Sequence, residues 1–149
     1  LQSMDGKQGL IKRLEERLKV DPDSAQGHYL LAKLLASEGQ WQVAVVHFRV
    51  AKSIERDNVN YQVNFAHALW QQNDNQFNDE IRQTFQDLLH QNPEQVDALN
   101  MLAMDAYQQK QYKKAITYWR KLLRLASPNS QEAQIIEEAI QKAQNDMNS

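Results

Sequence analysis

The stretch His28-Tyr29-Leu30-Leu31-Ala32-Lys33-Leu34-Leu35 decides the fold, because its frame returns twice. His28-x2-Leu31-Ala32-x2-Leu35 recurs as Gln62-x2-Phe65-Ala66-x2-Leu69 and as Leu99-x2-Leu102-Ala103-x2-Ala106. Each is followed by a second frame: Ala44-x3-Phe48-x2-Ala51, Ile81-x3-Phe85-x2-Leu88 and Ala115-x3-Trp119-x2-Leu122. Apolar positions three and four residues apart lie on one face of a helix, so each unit reads as two amphipathic helices. In the first frame the step from Leu31 to Phe65 is shorter by three than the step from Phe65 to Leu102. In the second frame the order is reversed: Ala44 to Ile81 is the long step and Ile81 to Ala115 the short one. The two series agree if three additional residues lie between the helices of the second unit. Asn73-Asp74-Asn75-Gln76, with the composition of a loop, is where they fall.

The short step, about 34 residues of helix–turn–helix, is the tetratricopeptide period. Ala32, Ala66 and Ala103 are small enough to let the two helices of a pair approach closely. Phe48, Phe85 and Trp119 fill the space between neighbouring pairs. A pair alone leaves an apolar face exposed, and only stacking buries it. The pattern predicts helices over 25–38 and 41–55, 59–72 and 78–91, 96–109 and 112–125. Leu10, Ile11, Leu14 and Leu18 share one helical face ended by Asp21-Pro22, which predicts a capping helix over 6–20. Ala133, Ile136, Ala139, Ile140 and Ala143 predict a second capping helix over 130–145. Asp23 with Gln26, and Asn129 with Glu132, read as the starts of helices. The expected fold is all-α, a tetratricopeptide-repeat superhelix of three helix pairs with N- and C-terminal capping helices. It forms a single domain over 1–149, with repeats over 25–58, 59–95 and 96–128.

Composition agrees with helices and narrows function. Three prolines and four glycines leave few turns for a many-stranded sheet. A net charge of −2 with both signs interspersed gives no basic stripe for nucleic acid. The absence of cysteine removes disulfides, thiolate metal sites and thiol nucleophiles together. No apolar run approaches the ~20 residues that cross a bilayer, and no signal peptide is visible. Leu1-Gln2-Ser3 ahead of Met4 reads as a remnant added in expression, so a membrane anchor upstream is compatible with the sequence.

No phosphate loop, nucleophile elbow or Ser/His/Asp set is present, so an enzyme is not expected. The four histidines His28, His47, His67 and His90 do not pair at helical spacing, so neither a metal nor a cofactor is expected. The basic run Lys110, Lys113, Lys114, Arg120, Lys121 and Arg124 belongs to the convex side of the third repeat and reads as a solvated face. Trp41 and Tyr112 open second helices, where the repeat uses a packing aromatic.

The first helix of each pair lines the concave face of such a stack. The register places Gln26, Tyr29, Leu30, Lys33, Asn60, Val63, Asn64, His67, Trp70, Asn100, Met101, Met104, Tyr107 and Gln108 there. Aromatic and Met side chains supply apolar contact, and Asn and Gln can hydrogen-bond a peptide backbone. A peptide fits this chemistry better than a metal or nucleotide does. The bland reading is that Met and aromatic residues at helical spacing are usually core.

Two resemblances bear on the partner. Tetratricopeptide domains that bind chaperone C-termini use a clamp of Lys, Asn and Arg. Asn64 fits that clamp, Lys33 offers its charge in the wrong place, and Tyr29, Asp97 and Met101 stand where it wants Lys, Lys and Arg. The opening 10–18, then Asp21-Pro22-Asp23-Ser24 and 27–32, resemble instead the tetratricopeptide subunit of bacterial c-type cytochrome maturation. So do 97–103, 115–123, Ser127-Pro128-Asn129-Ser130 and the last helix. That resemblance implies a periplasmic domain, tethered to the inner membrane through an upstream anchor, that works with other haem lyase subunits. It implies binding of the C-terminal segment of an apocytochrome c, so that a CXXCH motif is presented for haem attachment. The chain has no such motif and on this reading holds the client and never carries haem. The competing expectation is a scaffold in another bacterial envelope or pilus assembly.

Overall fold

The computed structural model describes residues 2–149, with side chains from Gly6 onward. The remnant reading of Leu1-Gln2-Ser3 therefore lies outside the described side chains. Among the described residues the secondary structure is eight α-helices and no strand, joined by short turns. The chain divides into two compact units at Gln76–Phe77, inside the enlarged loop of the second repeat.

The first unit holds α1 (Gln2–Val20), α2 (Ala25–Ser37), α3 (Trp41–Ile54) and α4 (Val59–Gln72). Its core is built from the repeat frame: Leu31, Ala32, Ala44, Phe48, Ala51, Phe65 and Ala66 are all at most 2% exposed. Alanines of zero exposure at the helix contacts are what close approach requires. Gly27 shows the same economy where α1 crosses α2: a Cβ there would stand 3.0 Å from Leu18 Cδ2 and 2.9 Å from Ser24 Oγ. Of the four apolar residues expected to dock α1, Ile11 and Leu18 are buried, whereas Leu14 is half-buried and Leu10 is 41% exposed.

The second unit holds α5 (Asp79–Gln91), α6 (Val96–Gln108), α7 (Tyr112–Leu125) and α8 (Gln131–Met147). Leu99, Ala103, Ala106, Ala115, Ile116, Trp119, Leu122 and Ala143 form one buried cluster, over which Ile136, Ala139 and Ile140 of α8 pack. The C-terminal helix thus covers the apolar face of the third repeat, the role expected of a cap. The basic residues Lys110, Lys113, Lys114, Arg120, Lys121 and Arg124 are all exposed, as a solvated face would be.

Two helix starts fall one residue later than the sequence suggests. Ser24, not Asp23, accepts from the N–H of Gly27 at 3.0 Å. Ser130, not Asn129, accepts from Ala133 at 3.1 Å, because Asn129 has taken a left-handed φ of 61° and cannot offer cap geometry. In each place two cap-competent residues are adjacent, and the backbone of the turn selects the second.

The turns repeat as faithfully as the helices. After α2, Gly39 takes φ 75° and the N–H of Gln40 donates to Leu35 O at 2.9 Å. After α6, Lys110 takes φ 61° and Gln111 donates to Ala106 O at 2.8 Å. Both are Schellman closures, in which a left-handed residue lets the chain satisfy the last carbonyls of the helix. In the second repeat the closure moves one residue on, with Asn75 donating to Trp70 O at 3.0 Å and Asp74 and Asn75 both left-handed. Asn73 Nδ2 then seals the loop on Gln76 O at 2.7 Å, and Asn78 caps α5 by accepting from Ile81 at 2.8 Å. The residues added between the helices thus make a longer helix end, a sealed loop and a new cap.

A buried polar position also repeats. His28 Nε2 donates to Pro22 O at 2.7 Å, and at the equivalent position of the next repeat Gln62 Nε2 donates to Arg56 O. Each side chain satisfies a carbonyl of the preceding turn six residues back, while Leu99 in the third repeat has dropped the bond.

Candidate functional site

In the first unit the expected face is built on α2 and α4. Tyr29 is its centre: its ring lies 4.5 Å from Tyr61 and 5.9 Å from Phe48, and its hydroxyl accepts from Asn64 Nδ2 at 3.2 Å. The second hydrogen of the Asn64 amide goes to Asn60 O at 2.8 Å. This bond pair fixes the amide orientation and ties α4 to α2. Lys33 Nζ stands 5.5 Å from the centre of the Tyr29 ring, within cation–π range. Burial pushes the Tyr61 hydroxyl pKa up, with a hydrogen bond to Glu55 adding to it, so Tyr61 stays neutral and apolar beneath Tyr29. Around this centre Gln26, Leu30, Lys33 and Asn60 are exposed or partly so, and Val63, Asn64, His67 and Trp70 are half-buried.

In the second unit the expected face is narrower. Asn100 and Gln108 are exposed and Met104 is half-buried. Met101 is 4% exposed, so its side chain belongs to the core and offers no surface. Tyr107 is committed elsewhere: its hydroxyl donates to Asp146 of α8, and its ring packs 5.5 Å from Tyr112 and 6.0 Å from Trp119. The bond to Asp146, then burial, pushes the Tyr107 pKa up to about 12. Lys142, also on α8, sits 5.8 Å over the same ring. The register could place Tyr107 on its helix but could not show that the last helix would engage it.

Two polar pairs escaped the sequence reading because each joins different helices. His28 and His47 meet through their Nδ1 atoms at 2.9 Å, with rings stacked at 5.2 Å. Pro22 O is only an acceptor, so His28 Nε2 carries hydrogen. His28 Nδ1 is then the acceptor, and His47 Nδ1–H donates. Burial lowers the His47 pKa, with repulsion from His28 second and Glu15 opposing both. Arg82 donates from Nε and Nη2 to both oxygens of buried Asp105, at 2.5 and 3.0 Å, and from Nη1 to Asp79 at 3.0 Å. Gln109 Nε2 adds a third donor to Asp105 at 2.8 Å.

The face of the first unit thus offers half-buried aromatic rings, a fixed amide and a cation. Among the described residues no three His, Cys, Asp or Glu side chains gather as metal ligands, and no helix is long and apolar enough to cross a membrane.

Known proteins match both the fold and the sequence. The Arabidopsis OM64 TPR domain superposes with a TM-score of 0.61 at 20% identity, over 80% of this chain and 95% of that one. MamA superposes at 0.70 with 17% identity, over 99% of this chain and 88% of its own. At these identities the likeness establishes the tetratricopeptide fold and nothing finer. Among sequence relatives, the formate-dependent nitrite reductase complex subunit NrfG of Escherichia coli O157:H7 is 22% identical over 91% of this chain and 68% of its own length. The cytochrome c-type biogenesis protein CycH of Pseudomonas aeruginosa is 25% identical over 93% of this chain, which spans only 34% of that protein. The model of the cytochrome c-type biogenesis protein H TPR domain matches residues 5–133. That match covers all three repeats and the cap before them, and the chain belongs to this family of cytochrome c-type biogenesis tetratricopeptide domains.

Proposed function

We propose that this domain holds the C-terminal segment of an apocytochrome c in the periplasm and presents it to haem lyase subunits during cytochrome c maturation. The observation that carries the reading is the family match over residues 5–133, taken with a face whose chemistry suits a peptide. Tyr29, Val63 and Trp70 offer apolar contact, while Asn60, Asn64 and Gln26 can meet a peptide backbone. An unfolded segment pays for its own ordering when it binds, so a short peptide should bind with micromolar strength, roughly −8 kcal/mol. Weak binding suits a holder that must release its client.

The test is calorimetric titration of synthetic C-terminal peptides of c-type cytochromes, with scrambled peptides as controls. Selective binding that is lost in Trp70→Gln supports the reading. Equal affinity for scrambled peptides, or no binding to any cytochrome peptide, removes it and leaves a scaffold with a different partner. The relatives carrying nitrite reductase in their names make a cytochrome nitrite reductase tail the first peptide to try.

A further inference from the structure

We infer that the slot between α1 and α2 is a seat for a peptide segment that presents an apolar face beside a carboxylate. The slot is an open trough of about 470 Å³, and its walls are Leu10 and Leu14 from α1 and Leu30 and Leu34 from α2. Leu10 is 41% and Leu30 43% exposed, so both present apolar surface to solvent among the described residues. The volume lies within the range of about 300–1,000 Å³ typical of sites that enclose compact ligands.

The charged groups on its lining are both cations, Lys7 and Lys33. Lys7 reaches Glu38 at 3.6 Å, with both side chains about one-third exposed, and a pair of this kind is exchanged for a new partner at little cost. Lys33 is held over Tyr29, whose face attracts the cation but does not neutralise it. An apolar trough flanked by ammonium groups complements an apolar peptide face with an acidic side chain or terminal carboxylate, and it repels a basic one. The repeat register explains why the slot exists. α1 is a capping helix, and among its described apolar residues Ile11 and Leu18 are the buried ones. Leu10 and Leu14 are left to form a groove with the first repeat, next to the Tyr29–Asn64 face.

This seat deepens the proposed function, and it rests on that reading only for the identity of the client. The probe is a short synthetic peptide carrying Leu-x-x-Leu-Glu, titrated into the leucine-methyl-labelled domain by NMR. Saturable shifts at Leu10, Leu14, Leu30 and Leu34 are expected. Leu30→Gln should weaken binding about tenfold, the loss expected of one buried anchor. Lys33→Glu should weaken it similarly and restore affinity for the same peptide with Lys in place of Glu. Both substitutions are on positions open to solvent, and circular dichroism will report whether helix content is kept. Shifts confined to other methyls, or an absence of shifts, overturn the seat. So do slot shifts that follow protein concentration without peptide, since a second copy would then be the occupant. Cytochrome tails that bind while the slot methyls stay still would sink the seat and spare the holder reading. A filled slot with no affinity for cytochrome tails would do the reverse.

Discussion

The two units fasten their helices with buried polar pairs of opposite character. In the first, His28 of α2 meets His47 of α3, imidazole to imidazole, through one hydrogen bond. In the second, Arg82 of α5 forks onto Asp105 of α6 as a full ion pair, with Asp105 only 5% exposed. A neutral pair costs little to desolvate, but acid can charge His47. An ion pair keeps its charge across that range but leaves a costly orphan when one partner is lost. The first unit should therefore be the one that feels acid, and the second the one that fails on truncation.

The largest effect should come from Arg82→Ala. It leaves the Asp105 carboxylate buried with Gln109 as a remaining donor. Breaking a buried pair costs about 3–5 kcal/mol, and because the Arg82 side chain is 26% exposed, the lower part of that range is expected. Urea unfolding should show it directly. The double variant Arg82→Met/Asp105→Leu should recover most of the loss, since it removes both charges. If Arg82→Ala unfolds at the wild-type midpoint, the pair is decorative and the contrast between the units disappears.

This contrast could not be read from the sequence, although the frame that carries it could. The period of the repeat placed six helices and the apolar faces of the caps placed the other two, and each boundary in the repeats lies within about two residues of the structure, because helical periodicity is a local signal. The caps slipped by one residue because Asp23-Ser24 and Asn129-Ser130 each hold two competent oxygens. The pairs were invisible for another reason. His28 and His47 are 19 residues apart and Arg82 and Asp105 are 23, spacings that mean nothing until two helices are packed. The site divides similarly. Tyr29 and Asn64 meet between neighbouring first helices, but Met101 is turned inward and Tyr107 is taken by Asp146, from a helix whose docking the repeat frame does not specify.

The next effect is the acid sensitivity of the first unit. The folded-state pKa of His47 lies below its ordinary 6.5, because burial and His28 disfavour the imidazolium. Protonation therefore favours the unfolded chain. The contribution is fully present above pH 6.5 and is lost as pH falls from there toward the lowered folded pKa. His47→Gln should cost about 1 kcal/mol at neutral pH for the lost hydrogen bond, and should flatten the fall in stability below pH 6.5. Equal pH slopes in variant and wild type would show that another group sets the acid response.

The smallest effect compares the same turn in the two units. Gly39 and Lys110 are equivalent positions in the first and third repeats, and both adopt left-handed backbone with φ of 75° and 61°. Glycine reaches that region without penalty, whereas a residue with a Cβ gives up about 1–2 kcal/mol there. A Cβ on Gly39 would meet nothing within 4 Å, so Gly39→Ala isolates the backbone contribution. A loss of about 1 kcal/mol is expected. Lys110→Gly should run the other way. Its gain should be smaller, about 0.5 kcal/mol, because glycine also frees the unfolded chain. Lys110 is exposed, so little packing is lost with its side chain. The two substitutions exchange the chemistry of one Schellman closure between the units, and their urea midpoints should move in opposite directions. Midpoints that move together would mean that the exposed ammonium at Lys110, and not its backbone, is what the third repeat keeps there.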